Sequence, residues 1–460
     1  GIWLAHRTAL VGGGVCWGYL PVPRRFFNPA KINMGCRERA LVLLKERIVK
    51  IVGKNGSDFR PAQGEFSTTT LVEFTPGNLA RIPANVLFLV DASSSMGGDK
   101  WAMVKQALAE LVRSFKDDDR VGLVLFHTSA REVFPLASLA ENRGAMEEAI
   151  RKLENPSGVT NLEAGLKMAY AAFNARGDKD KLKRVNHVIL LTDGFPTDNQ
   201  GYRVEKFDKY EGLVRNEESV TLTGIGIGSA DDYDADFIST LSELGRGSYY
   251  HANGIEKFRE GLKAEVQKLQ SSVVGDLTLR FADVKGRIMR IAKIAPEIVV
   301  YDIPGNAKNF EIPTGAMNKD RTAFLVQTMS SASGSEGDAL PLWTIEGHYD
   351  GQKTDVWNAA LELTGRDSDY AQLDGDVLQG LQVLQVHLNG QQIQASLENG
   401  DKEKATRLIE NTTRIATQLG SDKVTRALTR LASDVRAGKS VADSLATIKD
   451  ESKKTRLLIG

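Results

Sequence analysis

Two carboxylates and three hydroxyls stand at spacings that could gather oxygen donors around a cation. In Asp91-Ala92-Ser93-Ser94-Ser95-Met96-Gly97, Asp91, Ser93 and Ser95 occupy alternate positions directly after an apolar run. Thr160 follows Ser157-Gly158-Val159 ahead of a helical pattern, and Asp193 follows the apolar stretch 187–191 within Thr192-Asp193-Gly194. A donor set of oxygens with few carboxylates suits Mg²⁺ or Mn²⁺, which keep waters in an octahedral shell, with Ca²⁺ as a further candidate. The absence of nitrogen and sulfur from the set argues against zinc. Alone, the serine-rich segment reads equally well as a turn capping a helix, because serine satisfies free N–H groups at helix starts. The other two segments turn it into a candidate metal site.

Such groups need a scaffold that ends several elements at one edge. Residues 86–90 form a continuous apolar run of strand length, as in a strand covered on both faces. Val104, Ala107, Leu108, Leu111, Val112 and Phe115 then recur at helical spacing. Further strands are expected at 121–126, 187–191, 220–227 and 248–251, with a short edge strand at 131–136. Helices are expected at 142–153, 161–174, 234–244 (ending at Gly245) and 255–269. Alternation of this kind predicts an α/β domain around a mostly parallel sheet. Ligand sites in such sheets lie beyond the carboxyl ends of the strands. Asp91 and Asp193 both fall at that edge.

The pattern D-x-S-x-S, then a distant threonine, then an aspartate closing a later strand, resembles the von Willebrand factor A (vWA) family with a complete metal-ion-dependent adhesion site. The likeness covers about 84–269 and includes Gly224-Ile225-Gly226-Ile227-Gly228 and Gly245-Arg246-Gly247-Ser248-Tyr249-Tyr250. It implies a Rossmann-like doubly wound sheet and an Mg²⁺ bound through Ser93 and Ser95. Thr160 would bind directly or through water, and Asp91 and Asp193 would hold coordinated waters. It further implies a metal that stays electrophilic and bridges to an Asp or Glu of a partner protein. Ser94 and Val159 stand where many members have glycine; neither removes a ligand oxygen. The flanking segments resemble those of stand-alone prokaryotic vWA proteins and of inter-α-inhibitor heavy chains.

The rest of the chain divides by pattern. Residues 1–35 read as an irregular leader, 36–83 as strands belonging to a β-sandwich, 84–270 as the vWA domain, 271–355 as the sandwich and 356–460 as a helical region. Strand-like runs at 40–44, 47–52 and 68–74 are separated by turn residues 53–56, and later ones fall at 277–281, 297–303, 322–328 and 342–349. Residues 330–338 read as a flexible loop, and 405–448 as packed helices in a small bundle or hairpin. The Gly224-x-Gly226-x-Gly228 run lacks the spacing of a dinucleotide loop. His127 reads as a loop residue and His187 as structural. Asp117-Asp118-Asp119 reads as a solvated turn, and Lys453, Lys454 and Arg456 as a solvated tail. Asp231, Asp232, Asp234 and Asp236 form an acidic loop suited to a helix start.

Charge and composition close off other classes. The 59 basic residues balance 59 acidic ones, which argues against a nucleic-acid binder working through bulk charge. No apolar run is long enough to predict a membrane-spanning helix. Two cysteines, Cys16 and Cys36, suit a reducing compartment, so a cytoplasmic location is expected, with the cell envelope or secretion as the alternative. The expected function is metal-dependent protein binding without catalysis. Two alternatives are an accessory subunit of an ATPase or chelatase-type assembly, and a hydrolase using metal-bound water.

Overall fold

The first described elements are β1 (Val49–Asn55), β2 (Phe59–Pro61) and β3 (Gln63–Pro76). This computed structural model describes residues 49–175, 184–204, 207–215, 217 and 219–454; the leader at 1–35 and the run at 40–44 lie outside them. The described residues belong to one unit, Arg47–Gly460.

After β3 the α/β domain runs β4 (Ala84–Asp91), α1 (Asp99–Ser114), β5 (Arg120–Phe126), β6 (Ala130–Ser138), α2 (Leu139–Arg151), α3 (Leu162–Asn174), β7 (Val185–Thr192), α4 (Asp208–Arg215), β8 (Thr221–Ile227), α5 (Ala235–Leu244), β9 (Arg246–Ala252) and α6 (Ile255–Gln270). The sheet order is β6-β5-β4-β7-β8-β9. All neighbours are parallel except the edge pair β5–β6. The continuous apolar run of β4 follows from burial on both faces. Val86, Phe88 and Val90 join one core with residues of α1, α2 and α6. Leu87 and Leu89 join the other with residues of α3, α4 and α5. The strand order reverses at β4: β5 lies on one side and β7 on the other. The crevice at such a reversal is where doubly wound sheets bind ligands.

The chain then returns to the sandwich through β10 (Ser272–Val274), β11 (Leu277–Ala282), β12 (Arg287–Ala295), β13 (Val299–Tyr301), β14 (Phe310–Pro313), β15 (Met317–Asn318), β16 (Thr322–Ser333), β17 (Ala339–Tyr349), β18 (Gln352–Lys353) and β19 (Trp357–Thr364). One sheet is β1-β3-β16-β12-β13, and the other is β14-β11-β17-β19-β2, with β18 beside β17. Phe74, Ile291, Phe324, Phe281, Trp343 and Ile345 fill the space between them. Four helices follow: α7 (Gly375–Glu398), α8 (Lys402–Gln418), α9 (Asp422–Ala437) and α10 (Ala442–Lys453). Val377, Val383 and Leu384 of α7 cover the outer face of the first sheet against Leu71, Ala292 and Leu325.

Several local expectations are corrected. β1 continues through Asn55 instead of turning at 53–56. Gly53 is there for close packing, since a Cβ on it would fall 2.3 Å from the Trp357 ring. Residues 330–333 are strand, not loop, because β16 runs its full length along β3 as far as Ser333 opposite Gln63. Strand β19 lies beyond 355, where the sequence pattern had ended the sandwich. Helix α5 does end before Gly245, but Gly245 has φ −79° and Arg246 takes the left-handed conformation at φ 58°.

Candidate metal centre

The carboxyl ends of β4 and β7 lie side by side, so Asp91 closes one strand and Asp193 follows the other. After Asp91 the chain makes a tight 3₁₀ turn at Ser94–Met96, which brings alternate serines to the same edge. Ser93 Oγ lies 3.1 Å from Ser95 Oγ, and Ser95 Oγ donates to Asp193 Oδ1 at 2.7 Å. Thr160 arrives from the loop before α3. A Cβ placed on Gly194 would sit 3.0 Å from Thr160 Oγ1 and 3.6 Å from Ser95 Oγ, so the two hydroxyls flank the same glycine. All five residues singled out by spacing therefore meet at one edge.

Asp91 is fully buried. Its Oδ1 accepts from the Ser93 N–H at 2.8 Å, and its Oδ2 accepts from Thr192 Oγ1 at 2.6 Å. Burial pushes its carboxyl up to about 6, against the pull of those hydrogen bonds, and Asp193 nearby adds to the rise. Among the described residues, Asp91 forms no ion pair of its own to balance it, and Lys100 pairs instead with its neighbour Asp193. A divalent cation would supply that missing charge, and the hydroxyl and carboxylate oxygens around it are the donors a hard cation takes. The residues present therefore fit such an ion. Ser93, Ser95 and Thr160 would hold it, with Asp91 and Asp193 behind them.

The two positions where glycine is common in the resembling family have specific uses here. Ser94 Oγ donates to the Gly158 carbonyl at 3.1 Å, tying the serine turn to the Thr160 loop. The Val159 side chain packs on the turn at Gly201, where a Cβ would fall 3.0 Å from Val159 Cγ1. Gly158 itself is required. It sits at φ +81°, and a Cβ there would be 2.4 Å from Thr128 Oγ1. Thr160 is fixed on both sides of its peptide by Thr197, which accepts from the Thr160 N–H at 3.0 Å and donates its own N–H to the Thr160 carbonyl at 2.8 Å.

Two neighbours went unread in the sequence. Thr192 orients Asp91. Lys100, on the first turn of α1, pairs with Asp193 Oδ2 at 2.6 Å. A signal for Lys100 exists: a cation in the first turn of a helix opposes the macrodipole and needs a local reason.

Residues outside this edge behave differently from their sequence readings. Asp119 is not solvated. It is fully buried, pairs with Arg81, and accepts from the N–H groups of Ala84 at 2.8 Å and Lys116 at 3.0 Å. Lys453 is not a tail residue either. It is buried, 2.9 Å from Glu243, while Lys454 pairs with Asp450; Arg456 lies outside the described residues. Asp234 caps α5 through the Phe237 N–H, and Asp231 receives Ser440 Oγ. Gly224 and Gly226 lie inside β8, where Ile238 and the Tyr233 ring press on them.

Residues 85–261 match the family model for the von Willebrand factor type A domain. The chain carries a type A domain. It is 27% identical to inter-alpha-trypsin inhibitor heavy chain H2 of Mus musculus over 214 residues, 45% of this chain, and it spans only 22% of that relative's length. An uncharacterized protein of Synechocystis sp. is 24% identical over 390 residues, 82% of this chain and 88% of its own. Among solved structures, a von Willebrand factor type A protein from Catenulispora acidiphila superposes with a TM-score of 0.74 at 18% identity, covering 89% of this chain and 98% of that one. The ArnB paralog VWA2 from Sulfolobus acidocaldarius gives 0.60 at 18% identity, covering 88% and 98%. These two likenesses extend through the sandwich and helices and concern the fold. No helix among the described residues is long and apolar enough to cross a membrane.

Proposed function

We propose that the type A domain holds one divalent cation, Mg²⁺ in the first instance, and uses it to bridge to an aspartate or glutamate of a partner protein. The observation that carries this is the meeting of Ser93, Ser95, Thr160, Asp91 and Asp193 at the point where the sheet order reverses. Both carboxylates sit behind the three neutral hydroxyls that would hold the ion, so a bound divalent ion stays electrophilic on its open side and attracts an anionic ligand. Ser93 and Ser95 are engaged with each other and with Asp193, not with a histidine, which supports a binding role over nucleophilic catalysis. The low cysteine count supports work in a reducing compartment.

The test is affinity capture from native lysate by the full chain, in Mg²⁺ and in EDTA, with wild type beside Thr160→Ala. A protein retained by wild type in Mg²⁺, and lost with EDTA or with the substitution, is the expected result. Equal retention in all four arms would overturn the bridging role.

A further inference from the structure

Asp193, behind the hydroxyls that would hold a metal, is already paired with a cation of the chain itself. Its Oδ1 accepts from Ser95, while its Oδ2 faces the Lys100 ammonium at 2.6 Å. Asp193 is fully buried and the Lys100 side chain is about two-thirds buried. A buried carboxylate without a counter-charge is costly, and Lys100 supplies one whenever no metal does so. Nothing in its own helix favours a lysine there, since α1 turns its positive end toward the ammonium. The pairing with Asp193 is what stabilises it.

A second anchor lies within the lysine's reach. A Cβ placed on Gly228 would sit 3.5 Å from Lys100 Nζ and 3.2 Å from Asp232 Oδ2, so the ammonium and the Asp232 carboxylate flank the same glycine. Gly228 is at φ +106°, a conformation that side chains rarely adopt, and this keeps the space between the two groups open. Asp232 is exposed and accepts from the Ser229 N–H at 3.2 Å, leaving oxygen capacity for an incoming ammonium.

We propose that Lys100 is a built-in competitor for the metal: its ammonium occupies Asp193 in the metal-free domain and swings toward Asp232 when a divalent cation arrives. This rests on the metal-site reading above and adds a residue that sets the cation concentration at which the site loads. A divalent cation on the Oδ1 side of Asp193 and the Lys100 ammonium on its Oδ2 side repel one another, so metal binding is opposed by the lysine and favours moving it off Asp193. If the open form is a minority of about one in ten, apparent metal affinity is about tenfold weaker than the site would otherwise give. The gain is a site that keeps its buried carboxylate compensated at every metal concentration.

Isothermal titration of MgCl₂ into the full chain tests this, with thermal unfolding in Mg²⁺ and in EDTA as a second readout. Lys100→Met removes the charge and keeps much of the bulk; it should bind Mg²⁺ about tenfold more tightly and show a larger Mg²⁺-dependent rise in Tm. Lys100→Arg keeps the charge and should stay within about twofold of wild type. Asp232→Asn removes the second anchor and should weaken binding several-fold. A Lys100→Met affinity equal to or below that of wild type overturns the competitor role while leaving the metal site standing. No Mg²⁺ binding by either protein overturns the metal-site reading, and the competitor role with it. Binding by Lys100→Met alone would be the strongest support.

Discussion

The two ends of the type A sheet are both rich in ionisable side chains, yet they are built on opposite principles. At the carboxyl end, Asp91 is buried without a cationic partner among the described residues, and its carboxyl is pushed up to about 6. At the amino end, buried charges are paired with one another. Glu265 receives Thr223 Oγ1 at 3.0 Å and Tyr250 OH at 2.9 Å, and lies 3.1 Å from His187 Nε2. Glu297 lies 2.6 Å from both Lys268 and Lys293, bringing the sandwich into the same network. Burial would raise both glutamates, but Lys268 and His187 hold Glu265 well below the usual range, and Lys268 and Lys293 hold Glu297 at about 2. One end is satisfied from within and joins two parts of the fold. The other pairs Asp193 with Lys100 but leaves Asp91 and the hydroxyls of Ser93, Ser95 and Thr160 for something from outside. The difference separates charge matched within the fold from charge left partly unmatched without appeal to residue type, since aspartate and glutamate serve both.

The sharpest way to break this comparison is to remove one partner at the amino end. Glu297→Ala leaves the buried Lys293 ammonium without its carboxylate and removes one of the two that face Lys268, and should cost about 3–5 kcal/mol of unfolding free energy, measured by urea denaturation. A loss below about 1 kcal/mol would mean the network does not hold the two parts together. The next effect is on pH. Glu297 titrates from 4.5 in the unfolded chain to about 2 in the folded one. Its carboxylate binds fewer protons when folded, so its contribution is complete above about pH 4.5 and is lost as pH falls toward 2. The contribution is on the order of 3 kcal/mol, and Glu297→Gln should flatten the stability curve across that window. The smallest effect on stability belongs to the other end. Asp91→Asn should change unfolding free energy in EDTA by less than about 1 kcal/mol, because it removes a buried charge that lacks a cation. The same substitution should abolish any Mg²⁺-dependent rise in Tm. A large loss of stability in EDTA would place Asp91 with the structural charges.

Much of this was legible without coordinates, and the reasons differ by region. The strands and helices of the α/β domain announced themselves because β4 and β7 are apolar throughout and α1 carries an unbroken apolar stripe. Strand β12, with Arg287, Arg290 and Lys293 among its isoleucines, offered no clean alternation and was not read as a strand. Its outer face turns out to be partly covered by α7, so apolar residues occur on both sides. The polar end of β16 read as a loop because serine and glycine are poor strand formers; twelve consecutive residue pairings with β3 overrode that preference. Asp119 and Lys453 read as solvated because charge runs usually are, and only their partners Arg81 and Glu243, each distant in sequence, show otherwise.

What the amino-acid sequence determined by itself was the set of donors and the kind of scaffold. Oxygen types at Asp91, Ser93, Ser95, Thr160 and Asp193 are local facts, and so is the hydrophobic periodicity that makes a parallel sheet. Strand ends in such a sheet share an edge whatever the details, so those donors could be placed near one another from pattern alone. Only the tertiary structure decided which charges are already matched. Pairing between Lys100 and Asp193, Glu265 and His187, or Glu297 and Lys293 depends on Coulomb energies that change steeply with distance and burial. Neither quantity is written in the spacing of residues along the chain.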